Sequence, residues 1–164
     1  VIQRIMQGKP AIIHGDGSSL WTLTHNSDFA KGFIGLMGNA HAIGEAFQIT
    51  SDESLTWNQI YKAIADALGV ELKPYYVSSQ MLHDLSNYDF EGGLIGDKAN
   101  TVVFDNSKVK AAVPEFKAVI RAEEGIRRCV ENVLAHPELQ VADEEFDAWC
   151  DKVIEKMEEL KKNF

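Results

Sequence analysis

A chain of 164 residues is long enough for one domain with a real core, and 45% hydrophobic with 25% charged residues is the balance of a globular protein. The formal net charge of −9, with four arginines of which Arg127 and Arg128 are adjacent, disfavours a polyanionic partner, because phosphate binding needs clustered basic side chains. No apolar run approaches the roughly 20 residues of a membrane helix, and the first residues lack a signal-peptide pattern, so the expectation is a cytoplasmic protein with no membrane segment.

The chain opens on Val1, Ile2, Ile5 and Met6 at helical spacing, with Gly8 and Pro10 ending the run. No cap residue precedes this helix, which suggests a piece of something longer. Ala11–His14 reads as a strand, Asp16-Gly17 as a hairpin-type turn, and 20–24 as a short alternating strand. Asn26 or Ser27 is placed to cap the next helix, with Asp28 near its positive end. Phe29, Phe33, Ile34, Leu36 and Met37 are expected to form that helix's buried face.

Residues 46–50 alternate as a strand does. Thr56 with Gln59 matches a capping box, in which a hydroxyl and an amide three residues apart satisfy each other's backbone N–H groups. Behind it Trp57, Ile60, Tyr61, Ile64 and Leu68 mark a helix that stops at Gly69. Residues 73–77 read as a strand, and Ser79 caps a short helix. From Ser86 to Asn100 the periodicity fails, and a loop of that length in a compact domain is usually functional or mobile. Residues 101–104 form a β-branched strand, and Asp105 or Asn106 caps a short helix that Pro114 ends. A helix over 123–135 turns Ile126, Val130, Val133 and Leu134 inward. Asp143 then caps a long helix whose apolar stripe is Phe146, Trp149, Cys150, Val153, Met157 and Leu160. The fold class is therefore mixed α/β and helix-rich. The two cysteines, Cys129 and Cys150, lie on helices without a CxxC motif and read as reduced core or half-buried thiols.

Chemistry is sparse in the pattern. The five histidines, His14, His25, His41, His83 and His136, are never spaced with a second ligand type as a zinc site requires. His136, just before Pro137, is expected to meet helix carbonyls. His25 with Asp28 reads better as a packed pair than as a dyad. Gly15-Asp16-Gly17 lacks dinucleotide-loop spacing and opens no helix, and Gly92-Gly93 has no strand before it. Glu144, Glu145, Asp147 and Asp151 read mostly as a solvated helix face. No complete active site emerges, and no catalytic residue is assigned.

Several blocks in order nevertheless form a recognisable set. They are Gly15-Asp16-Gly17 with His25–Ala30, then Gly44–Thr50, Leu55–Ile60, Phe104–Lys108, and Pro114-Glu115-Phe116 with Glu123–Ile126. Together they resemble the C-terminal half of the extended short-chain dehydrogenase/reductases, the NAD-dependent sugar epimerase/dehydratase family. The resemblance covers residues 1–135 and implies part of a Rossmann-like fold that lacks most of the nucleotide-binding half. It implies a substrate-lobe fragment at 1–140 and an appended amphipathic helix at 141–164.

The family's Tyr-x-x-x-Lys pair is missing, since none of Tyr61, Tyr75, Tyr76 or Tyr88 has a basic residue four places on. The resemblance therefore implies that NAD or NADP serves the full-length parent and that this chain alone binds no cofactor. The implied partners are an N-terminal nucleotide-binding domain, a sugar-like small molecule and, alternatively, a second copy of the chain. The family's two diphosphate-holding arginines fall here at Trp21 and in the region of Ile95. The expected substrate contacts are Trp21, His25, Tyr88, Phe90, Ile95 and Lys98. A related branch, the chloroplast stem-loop RNA-binding proteins, is similar around Gly38–Asp52 and offers a non-enzyme alternative. A structural or dimerising role is the third reading. The acidic balance weighs against nucleic acid.

Overall fold

The computed structural model describes residues 1–163. Helix α1 (Ile2–Met6) leads into strand β1 (Ala11–His14). A Gly15–Gly17 turn follows, and Gly17 sits at φ +71° with the Asn58 side chain where a Cβ would stand. Strand β2 is only Leu20–Trp21, and helix α2 spans Asn26–Leu36. Strand β3 (Leu55–Thr56) precedes α3 (Trp57–Leu68), and β4 (Pro74–Val77) precedes α4 (Ser79–Asp84). Helices α5 (Ser107–Ala112), α6 (Ala122–Ala135) and α7 (Glu144–Lys162) complete the chain.

The strands form two small pairs. β1 lies parallel to β4 with Ala11 opposite Pro74 and His14 opposite Val77, and β2 lies antiparallel to β3. A parallel pair needs a long crossover, and here α3 is the crossover's main helix. It packs on α1 through Ile5, Ala11 and Ala65, and on α6 through Ile60, Ala122, Ile126 and Val130. The capping box is present: Gln59 N–H donates to Thr56 Oγ1 and Thr56 N–H donates to Gln59 Oε1. A third cluster, Val77, Leu82, Leu94 and Val153, joins β4 and α4 to α7.

Several sequence expectations are corrected. Residues 46–50 and 101–104 form no strand ladder: Val102 N–H donates a single bond to the Leu20 carbonyl at 3.2 Å, and the Asn106 amide takes up both the N–H and the carbonyl of Thr50. Residues 22–24 also leave the predicted strand. Within the 86–100 loop, Glu91–Lys98 winds as a π-helix, anchored by buried Leu94 and closed by Ala99 N–H on the Leu94 carbonyl at 2.8 Å. Periodicity could not register it, because a π-turn repeats at neither the helical nor the strand period. Ser78 and His25, rather than Ser79 and Asn26 or Ser27, supply the caps of α4 and α2. Asn106 makes no cap; its buried amide instead bonds Thr50, Ser51 and Asp52, while Asp105 accepts from Ser107 N–H. Leu134 and Leu160 are exposed, and so is Cys129, whereas Cys150 is buried.

The largest reversal is in α2. Its packed side carries two glycines: a Cβ on Gly32 would stand 2.6 Å from Ile49 Cγ2, and one on Gly35 would strike Val113. Close backbone approach fixes this face against Val113 and Phe116, and leaves Phe29, Phe33, Ile34 and Met37 pointing away at 44–66% exposure. At 100° per residue these four sweep the opposite side of the helix. Hydrophobicity marks only the phenylalanine side, because a glycine has no side chain to register, so the pattern chose the wrong face.

Asp28 holds α2 in place. The carboxylate is fully buried and accepts N–H bonds from Val119 at 2.9 Å and Ile120 at 2.7 Å, with Lys31 on its other oxygen. Burial pushes its carboxyl up, but the Lys31 ammonium and the two N–H donors outweigh that, leaving it below the usual carboxylate range. Asp28→Ala strands two buried donors and is expected to cost roughly 2–4 kcal/mol in urea unfolding; a loss under about 0.5 kcal/mol, the size of an ordinary surface change, would refute this role.

Candidate functional site

A cavity of about 920 Å³ lies between α1, β1, the π-helical segment and α7. Its inner end is built where β1 stops. His14 is 9% exposed, and its Nε2 lies 3.1 Å from the Lys98 carbonyl oxygen. A carbonyl can only accept, so this bond assigns the Nε2–H tautomer and leaves Nδ1 as an acceptor. Ser19 Oγ and Trp57 Nε1 donate to the same oxygen at 3.0 and 3.2 Å. Burial pushes the His14 pKa down, the Lys98 carbonyl opposes it and the Lys98 charge adds to it, with a net lowering. The imidazole is therefore neutral at pH 7. Three elements converge on one backbone atom, and the π-helical segment is pinned over β1.

The outer wall is α7. Arg4, 6% exposed, donates from Nε to the Pro10 carbonyl at 2.6 Å and pairs with Asp147 at 2.6 Å and with Asp151. Lys9 pairs with the same two carboxylates. Glu144 and Glu145 are exposed, as their sequence spacing suggested, whereas Asp147 and Asp151 are turned to Arg4; a buried guanidinium demands partners, and α7 supplies them. Trp149, on the same helix, donates to the Leu85 carbonyl at 2.9 Å and stacks among Tyr88, Phe90 and Phe146 at centroid distances of 5.3–5.6 Å. Tyr61 and Cys150 also border the cavity. Burial pushes Tyr61 up to about 12 and Cys150 up to about 11, so both keep their protons at neutral pH.

The expected contact residues divide by position. Phe90 and Lys98 line the cavity. Trp21 stands behind it, stacked on Trp57 at 6.1 Å with the Lys98 ammonium 5.6 Å from its ring centroid. Tyr88 backs Phe90 at 5.9 Å. Ile95 is half-buried in the π-helical segment, where its carbonyl accepts from Asn100. His25 lies elsewhere: its Nδ1 caps α2 by accepting from Ser27 N–H, and its ring rests on Gly125. His136 Nδ1 meets the Asn132 carbonyl at 2.7 Å, as its place at a helix end predicted. The reading of residues in sequence missed His14, Trp57, Tyr61 and Arg4. His14 carried one signal, a polar residue ending an otherwise apolar strand; Arg4 carried none, since its partners are more than 140 positions away.

Neither glycine cluster fits a dinucleotide. The Gly15–Gly17 turn is filled by Asn58, whose amide donates to the Asp16 carbonyl, and it leads into β2 rather than a helix. Gly92, Gly93 and Gly96 sit within the π-helical segment. No phosphate-facing row of backbone N–H groups arises at either place.

No family model matches the chain. A 73-residue stretch is 30% identical to 2'-dehydrokanamycin reductase of Streptomyces kanamyceticus, covering 44% of this chain and 21% of that protein. A 69-residue stretch is 33% identical to an uncharacterised UDP-glucose epimerase of Bacillus subtilis, covering 42% and 22%. Among solved structures, UDP-glucuronic acid 4-epimerase from Bacillus cereus, crystallised with NAD, superposes with a TM-score of 0.62 at 15% identity. That superposition covers 86% of this chain and 38% of the epimerase. The chain has the fold of part of an extended short-chain dehydrogenase/reductase. The family resemblance and the mixed α/β class read from the sequence are borne out. The chain spans about a fifth of the curated relatives it matches.

The ion quartet predicts an acid response. Lys9 and Arg4 lower the Asp147 carboxyl; at Asp151 burial pushes up, and Arg4 with Lys9 outweighs it. A lowered folded-state pKa gives stability that is full above the unfolded value near 4 and lost as pH falls through the folded value. Trp149 fluorescence should therefore be flat from pH 7 to about 5 and change below about 4. In an Asp147→Asn, Asp151→Asn double variant the docking of α7 should be lost already at pH 7. A native Trp149 signal in that variant at pH 7 would show that the quartet does not hold the wall.

Proposed function

We propose that this chain is the substrate-binding portion of an NAD(P)-dependent epimerase or dehydratase acting on a nucleotide sugar or a related carbohydrate. On this reading it is catalytically incomplete alone. Residues 1–140 form the substrate lobe and residues 141–164 the helix appended to it. The observation that supports this most is the cavity itself, a volume suited to a small ligand, set in a fold otherwise found in NAD-binding epimerases. Phe90 and Lys98 touch the substrate from the cavity wall, with Trp57 presented to it by Trp21. NAD or NADP binds the nucleotide-binding portion of the parent protein, which supplies the proton- and hydride-exchanging groups. The setting is cytoplasmic. No helix among the described residues is long and apolar enough to cross a membrane.

The exposed side of α2 is the surface on which that portion docks. Phe29 and Phe33 stack on each other at 5.9 Å, with Ile34 and Met37 beside them. A soluble lobe keeps such a face only for a partner, and the solved relative is more than twice as long as the part matched here.

Purified chain mixed with NAD and UDP-glucose should give no turnover in a coupled assay, and measurable turnover would overturn the proposal of an incomplete enzyme. For the docking face, the dye 8-anilinonaphthalene-1-sulfonate should fluoresce on the chain. Its signal should fall by more than half in a Phe33→Ser, Met37→Ser variant whose thermal midpoint is unchanged, as expected for surface positions. Undiminished fluorescence would remove α2 as the docking face.

A further inference from the structure

Buried polar side chains are nearly always hydrogen-bonded, and an unbonded atom that opens on a cavity marks where a ligand group can bond. His14 carries such an atom. The residue is 9% exposed, and its Nε2–H is spent on the Lys98 carbonyl. Nδ1, which holds the ring's lone pair, makes no hydrogen bond among the described residues. Among those residues the side-chain nitrogen or oxygen that is unbonded and also sealed from solvent is His83 Nδ1. His14 Nδ1 is therefore open, and the space that His14 lines is the cavity.

A second atom of this kind lies close by. His14 meets Trp57 in a T-shaped contact, with ring centroids 5.1 Å apart. Tyr61 stands one turn beyond Trp57 on the same face of α3 and lines the same cavity. Its Oη has no hydrogen-bond partner among the described residues, and it too is not sealed. Burial keeps the phenol protonated, its pKa pushed up to about 12. Tyr61 Oη can thus donate and accept, whereas His14 Nδ1 can only accept.

Charge does not choose the ligand here. Four basic groups border the cavity, the Val1 α-amino group among them, and so do four carboxylates. Lys98, whose carbonyl holds His14, directs its own ammonium to the Gly93 carbonyl at 3.0 Å and to Asp97 at 3.1 Å. The inner end offers hydrogen bonding rather than an ion.

We infer that His14 Nδ1 and Tyr61 Oη form a subsite at the inner end of the cavity for a polyhydroxylated ring, one hydroxyl donating to Nδ1 and another sharing a hydrogen bond with Oη. The subsite rests on the carbohydrate-binding role proposed above and adds the two residues that grip the sugar. It requires a donor from the ligand. A carboxylate, phosphate or ether oxygen only accepts, so at Nδ1 it meets a lone pair and makes no bond.

The test is a titration of the ¹⁵N-labelled chain with glucose and with fully O-methylated glucose, whose oxygens accept but do not donate. The Nδ1 and Nε2 resonances of His14 and the indole N–H signals of Trp57 and Trp149 are followed together. Glucose should move the Nδ1 resonance upfield, the direction for a lone-pair nitrogen that accepts a hydrogen bond, and the methylated sugar should not. Tyr61→Phe, which keeps the ring and removes the hydroxyl, should weaken glucose binding about two- to tenfold, the scale of one hydrogen bond. Glucose binding seen at the indoles with Nδ1 unmoved, an equal Nδ1 shift from the methylated sugar, or unchanged glucose affinity in Tyr61→Phe would each overturn the subsite and leave the carbohydrate-binding role standing. Failure of both sugars to move any of these signals would instead overturn that role, and the subsite with it.

Discussion

A guanidinium sealed from water at the start of the chain sets much of this architecture. Arg4 cannot be buried unpaired, because the desolvation cost of a lone ion is several kcal/mol. Its partners, Asp147 and Asp151, stand one turn apart on α7. Their spacing dictates the rotation and height at which that helix can dock. Once α7 is seated, Val153 meets Val77, Leu82 and Leu94, and Trp149 reaches the Leu85 carbonyl. The ion quartet holds the helix at this register, and the apolar contacts pack behind it.

The opposite wall obeys a similar rule with a neutral group. The Lys98 carbonyl, at the end of a π-helical stretch, collects donors from the end of β1, from Ser19 and from the first residue of α3. A segment carrying three glycines would otherwise have little to hold it. With both walls fixed by polar anchors, the space between them stays open instead of collapsing.

α2 is unusual in which of its faces it packs. Its glycines are spent on close packing within this lobe, while its phenylalanines and methionine face outward. In a self-sufficient domain the opposite arrangement would be expected.

The amino-acid sequence by itself determined what depends on near neighbours. The capping box at Thr56, the stripe of α3, the Asp143 cap of α7 and the β1 run are all local, and each forms as its residues dictate. The ordered motif blocks carried the family likeness for the same reason, since each is a short local device. Phe90 and Lys98, expected as substrate contacts, line the cavity, and both lie in the stretch where periodicity breaks. Tertiary structure alone decided the remainder. It turned α2 over, because two Cβ-free positions allow an approach that hydrophobicity cannot register. It left 46–50 and 101–104 outside any ladder, because a ladder needs a neighbour in register that the sequence pattern cannot supply. It brought Arg4 to α7 and His14, Ser19 and Trp57 to one carbonyl, across separations that no local period encodes.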